Sequence, residues 1–107
     1  MTDVDDSILL LRASLAAGER VALATVVHTR GHCPREVGAK MLVWRDGRTA
    51  GSIGGGCGEN RIRLAALTAL DEGRPTLEQV DLLDDPSLPD GAVCGGVMEV
   101  LIEPFGC

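Results

Sequence analysis

Residues Val21 to Val27 carry apolar side chains at odd and even positions alike. Such a strand cannot turn one face to water and reads as a central strand covered on both sides. That requirement governs the rest of a 107-residue chain, a length suited to one domain and not two. The covering core must be aliphatic, because the chain has no Tyr, one Phe (Phe105) and one Trp (Trp44).

The flanking segments supply the cover. Asp6 or Ser7 caps a helix expected to run to about Ala17, with Ile8, Leu11 and Leu15 on one face and Gly18 as its stop. After the central strand, His28 to Gly38 reads as a polar loop, interrupted by Gly31 and Pro34. Lys40 to Trp44 and Arg48 to Ile53 flank Asp46-Gly47, a strong hairpin signal. A second helix is expected from about Glu59 to Asp71, with Ile62, Ala65, Ala66 and Ala69 inward and Gly73 as its stop. Thr76 to Leu83 reads as a strand, Asp84 to Gly91 as an acidic turn region, and Val97 to Glu103 as a strand with alternating faces. The order α-β-β-β-α-β-β predicts an α+β fold: a mixed β-sheet with a central hairpin and two main helices packed on it.

Charge and composition exclude several functions. A formal charge of −6, dispersed arginines and a single lysine, Lys40, argue against nucleic-acid binding, which needs clustered cations. No apolar run approaches the roughly 20 residues of a membrane span. The acidic start, Met1 to Asp6, lacks the features of a secretory signal. A cytoplasmic protein is therefore expected, with Cys33, Cys57, Cys94 and Cys107 reduced and not paired as disulfides.

The candidate chemistry lies in Ser52-Ile53-Gly54-Gly55-Gly56-Cys57-Gly58-Glu59. Consecutive glycines let main-chain amides converge on an anion, and a helix start behind them adds positive dipole. A thiol there ionises more easily than a free one. The bland alternative is a tight strand-to-helix turn with a buried cysteine, but three glycines exceed what a turn needs. Cys94-Gly95-Gly96 repeats the same chemistry before the last strand; if both loops lie at one end of the sheet, two thiols face one pocket. Arg35 and Lys40, around Gly38, are suited to holding a phosphate or carboxylate. His28, His32 and Cys33 invite a zinc reading, which the lack of a Cys-x-x-Cys pair disfavours. Cys57 and Arg63 have the Cys-x5-Arg spacing of thiol phosphatases, but here the glycines precede the cysteine. Glu59 in the interval would repel a phosphate, and Asn60 to Arg63 is expected to be helical.

At these motifs the chain resembles the N-terminal domain of the XdhC/CoxI family, maturation factors for molybdenum hydroxylases such as xanthine dehydrogenase and carbon monoxide dehydrogenase. The likeness runs through Val21 to Val27, Gly31 with Pro34-Arg35, and Gly38-Ala39-Lys40-Met41. It continues in Gly51 to Cys57 with Glu59, and closes with Cys94-Gly95-Gly96 and Met98-Glu99-Val100. Many relatives carry a further Rossmann-type domain. Residues 1–107 are expected to be a single such domain without one, since they contain no Gly-x-Gly-x-x-Gly unit. His32-Cys33 and Gly58 depart from the family pattern.

The resemblance implies a chaperone, not an enzyme. It would bind molybdenum cofactor (molybdopterin or its nucleotide form) as cargo during sulfuration by a cysteine desulfurase, then aid insertion into an apo-hydroxylase. Implied cofactor-binding residues are Arg35, Lys40, Ser52, Gly54, Gly55, Gly56, Cys57, Glu59, Cys94, Gly95 and Gly96. Cys57 and Cys94 are candidate molybdenum contacts, thiolates being good soft-metal ligands, and Glu59 is a candidate for positioning a proton or a partner's donor. A homodimer is expected, and a further expected partner is a separate Rossmann-domain subunit. Two alternatives stay open: a thiol enzyme using Cys57 on a phosphorylated or disulfide substrate, and a scaffold that binds a partner but no cofactor.

Overall fold

A computed structural model describes residues 6–31, 33, 35–54, 56–81 and 96–106, and of residues 56 and 57 the backbone. Its elements are α1 (Asp6–Ala16), β1 (Val21–Arg30), β2 (Lys40–Trp44), β3 (Thr49–Gly51), α2 (Gly56–Glu72), β4 (Thr76–Asp81) and β5 (Val97–Phe105). The strands form one sheet in the order β3-β2-β1-β5-β4. The α+β class is as expected, and β1 is the central strand. The sheet is not mixed, however: each of these neighbouring pairs is antiparallel. The β2–β3 hairpin lies at one edge of the sheet, not at its centre.

The two faces of β1 feed two cores. Ala22, Ala24 and Val26 join Met41, Val43, Val100 and Ile102 under Ile62, Ala66, Ala69 and Leu70 of α2. Val21 and Leu23 join Leu42 and Trp44 under Leu11 of α1. The sheet is thus covered by one helix on each face, which satisfies the two-sided apolar pattern of the central strand.

The helix α1 presents a different stripe from the one expected. Ser7, Leu11 and Ser14 are buried, whereas Ile8 and Leu15 are 40% and 37% exposed. The reason is Trp44. A buried indole N–H needs an acceptor, and Ser14 Oγ accepts it at 3.1 Å. Turning Ser14 toward the indole turns Ile8 and Leu15 outward. The helix ends at Gly18 as expected, with the Glu19 N–H bonded back to the Ser14 carbonyl at 3.0 Å.

β1 runs three residues past Val27, where a polar loop was expected. His28, Thr29 and Arg30 pair with Glu99, Met98 and Val97 of β5, after an irregularity between Val26 and His28. A long-range partner strand holds them extended. β3 is shorter than expected, ending at Gly51; Leu82 and Leu83 of the expected fourth strand lie outside the described residues. At the opposite end of the molecule, Arg20 Nε donates to the Gly106 carbonyl at 3.2 Å and its Nη2 donates to the Leu70 carbonyl, tying the ends of β5 and α2 together.

Candidate functional site

The strand ends decide which loops can meet. The registers place Arg30 opposite Val97, Thr25 opposite Lys40, and Met41 opposite Gly51. The end of β1, the start of β2, the end of β3 and the start of β5 therefore all lie at one end of the sheet. The glycine loop leaves from that end, and Gly96 enters β5 there. Gly55, Cys94 and Gly95 lie outside the described residues, as do His32, Pro34 and Cys107. Cys57 is described as backbone in the first turn of α2.

Gly51 sets the start of the loop. A Cβ at this position would stand 2.5 Å from the Lys40 carbonyl oxygen, and φ is +79°, so only glycine lets β3 press against β2 here. Ile53 then sinks into the α2 core and is 1% exposed, anchoring the loop by its side chain. The Ser52 hydroxyl donates to Glu59 Oε2 at 2.8 Å, and the Ile53 N–H donates to the same oxygen at 3.2 Å. The Gly54 N–H donates to Ser52 Oγ at 3.0 Å. From the other side, Arg35 Nη1 donates to the Ser52 carbonyl at 2.9 Å.

The structure thus brings Arg35, Ser52, Ile53, Gly54 and Glu59 together. Glu59 reaches back from the first turn of α2 to the segment before it, much as a capping box does, and its charge suits the positive end of the helix. The backbone of Lys40 borders Gly51, while its Nζ donates to the Gly38 carbonyl at 2.8 Å. One amide of the expected anion cradle, that of Gly54, is taken up within the loop, as is the Ile53 amide just before it.

The helix begins at Gly56, three residues ahead of the expected Glu59. Residues from Cys57 through Arg63 therefore form helix, and Arg63 Nη2 donates to Asn60 Oδ1 at 3.0 Å. A phosphate loop between that cysteine and arginine is ruled out by this geometry. A cavity of about 240 Å³ beside Glu59 is lined by Thr49, Asn60 and Arg63 as well. Thr49 does not stand out in the sequence; its only signal is its place three residues before Ser52 on a strand leading into the glycines.

Of the metal-ligating candidates, the side chains of His28 and Cys33 are described. His28 Nδ1 lies 3.4 Å from Glu99 Oε1 across the β1–β5 pair. The half-buried Cys33 thiol donates to the Arg30 and Val97 carbonyls at 3.5 and 3.6 Å, linking the end of β1 to the start of β5. Among the described residues no three His, Cys, Asp or Glu side chains are grouped to hold a metal ion, and no helix is long and apolar enough to cross a membrane.

Comparison with known proteins agrees with the motifs. The model of the XdhC and CoxI family matches residues 14–81, and the chain belongs to that family. It is 38% identical over 98 residues to a probable xanthine dehydrogenase subunit of Bacillus subtilis, covering 88% of this chain and 29% of that one. It is 38% identical over 73 residues to the molybdenum cofactor insertion chaperone PaoD of Escherichia coli, covering 65% and 23%. A crystal structure described as a xanthine dehydrogenase from Bacillus halodurans superposes with a TM-score of 0.76 at 34% identity, over 91% of this chain and 30% of that one. The chain thus spans less than a third of the length of these relatives.

Proposed function

We propose that this domain binds molybdenum cofactor as cargo and assists maturation of a molybdenum hydroxylase of the xanthine dehydrogenase type. The observation that carries the reading is the hydrogen-bonded junction of Arg35, Ser52 and Glu59 at the start of α2, in a chain 38% identical to a molybdenum cofactor insertion chaperone. The cargo would meet the glycine-rich turn at the sheet end where Gly96 also enters. Because the Ile53 and Gly54 amides are engaged internally, anionic groups of the cargo fall to the first-turn amides of α2, the Gly55 amide and cationic side chains, with Arg35 foremost. Cys57 and Cys94 supply soft donors for molybdenum.

In this reading the domain holds the cofactor, simple or nucleotide-extended, while a cysteine desulfurase delivers sulfur to it, and then passes it to the apo-hydroxylase. It works in the cytoplasm as a homodimer and has no turnover of its own. The test is reconstitution: apo-hydroxylase is incubated with cofactor, sulfur source and this protein, wild type or Cys57→Ser. Wild type should raise hydroxylase activation, and Cys57→Ser should fold normally yet give about tenfold less, because serine lacks a soft ligand atom. Equal activation by both proteins would remove Cys57 from the mechanism.

A further inference from the structure

A run of glycines has more backbone freedom than any other sequence. Order in such a loop must come from ties outside it. Here the ties converge on two residues. Ser52 is held at its hydroxyl by Glu59, at the same oxygen by the Gly54 N–H, and at its carbonyl by Arg35. Glu59 grips Ser52 and the Ile53 N–H with one oxygen, Oε2. Three segments meet through this pair: the loop before β2, the turn after β3, and the first turn of α2.

We infer that Ser52 and Glu59 are positioning residues, a latch that fixes the path from β3 into α2 and so the place where the glycine turn and the backbone of Cys57 meet the cargo. The inference rests on the cofactor reading above and deepens it. It moves Glu59 from a candidate for positioning a proton or a partner's donor to a support acting through the loop. The chemistry of the latch is specific. The Ser52 hydroxyl and the Ile53 N–H both donate to Glu59 Oε2, so one carboxylate oxygen joins the two residues before the glycine turn to the first turn of α2. A binding loop held in advance loses less freedom when it binds.

The test uses the whole chain as Ser52→Ala and Glu59→Ala, each checked by thermal unfolding. Two readouts are taken: residue-resolved amide exchange at Ile53 and Gly54, and the dissociation constant for molybdenum cofactor under anaerobic conditions. Glu59→Ala should speed exchange at Ile53 by about tenfold or more and weaken cofactor binding by a similar factor, the effect of losing bonds to a charged group. Ser52→Ala should do the same at Gly54; with a smaller change to the turn, it carries the test if Glu59→Ala fails to fold.

Unchanged exchange in the folded alanine variants overturns the latch whatever the cofactor does. Faster exchange with unaltered cofactor affinity overturns the positioning role. If wild type itself binds no cofactor, the cofactor reading fails, and with it the positioning role; the exchange data then show whether the loop tie alone stands.

Discussion

Gly51 shows how a single residue can carry the geometry of the site. It stands opposite Met41 in the β2–β3 ladder, with φ at +79° and no space for a Cβ beside the Lys40 carbonyl. Gly51→Ala should destabilise the protein by about 2 kcal/mol or more, combining strain at positive φ with a backbone clash. Equilibrium urea unfolding measures this, and a loss below about 0.5 kcal/mol would contradict it. Asp46 offers a test by pH. The backbone N–H of Arg48, with help from its side chain, holds the Asp46 carboxyl below its usual 3.8. The bonds are short, 3.0 Å to the N–H and 2.8 Å to Nε. A depressed value in the folded state means that the ionised form adds stability above the usual value and loses it as pH falls through the lowered one. The stability gap between wild type and Asp46→Asn should therefore be widest at neutral pH and shrink as the pH falls below the usual 3.8. A gap that grows on acidification would reverse the sign.

At the scale of elements, α1 departs from the sequence pattern in its orientation and α2 in its start, for related reasons. The apolar stripe of α1 is legible as a helix, but Leu and Ile stand all along it, and periodicity alone does not choose the inward face. Trp44 chooses it, through a bond to Ser14 thirty residues away in sequence. The consequence is measurable. Leu11→Ala should cost about 2 to 3 kcal/mol, as a buried leucine does, and Ile8→Ala less than about 0.5 kcal/mol; comparable losses at both positions, by denaturant midpoints, would restore the expected face. For α2, glycines read as loop because each disfavours helix. Glu59 overrides that preference by tying the first turn to Ser52 and Ile53. A contact between residues seven apart becomes visible only once the chain is known to reverse at the glycines. The same holds for the Arg35–Ser52 bond and for the extension of β1 to Arg30, which rests on pairing with β5. By contrast, the Asp46-Gly47 turn, the stops at Gly18 and Gly73 and the two-sided strand β1 were legible, because each rests on local chemistry.

At the scale of the whole molecule, the antiparallel registers bring the end of β3 and the start of β5 to one end of a sheet covered by a helix on each face. That convergence, conditional in the sequence, brings the glycine turn and Gly96, at the start of β5, to the same end of the sheet and supports the proposal of one cofactor site there. The central claim is that this site binds molybdenum cofactor at Cys57. The most direct measurement is an anaerobic equilibrium titration of the reduced protein with the cofactor, followed by its optical absorption, with wild type beside Cys57→Ala. Saturable binding by wild type, weakened about tenfold or more in the variant, is the predicted result, since loss of a metal–thiolate contact is worth at least about 1.4 kcal/mol. Binding by neither protein, or equal binding by both, would contradict it.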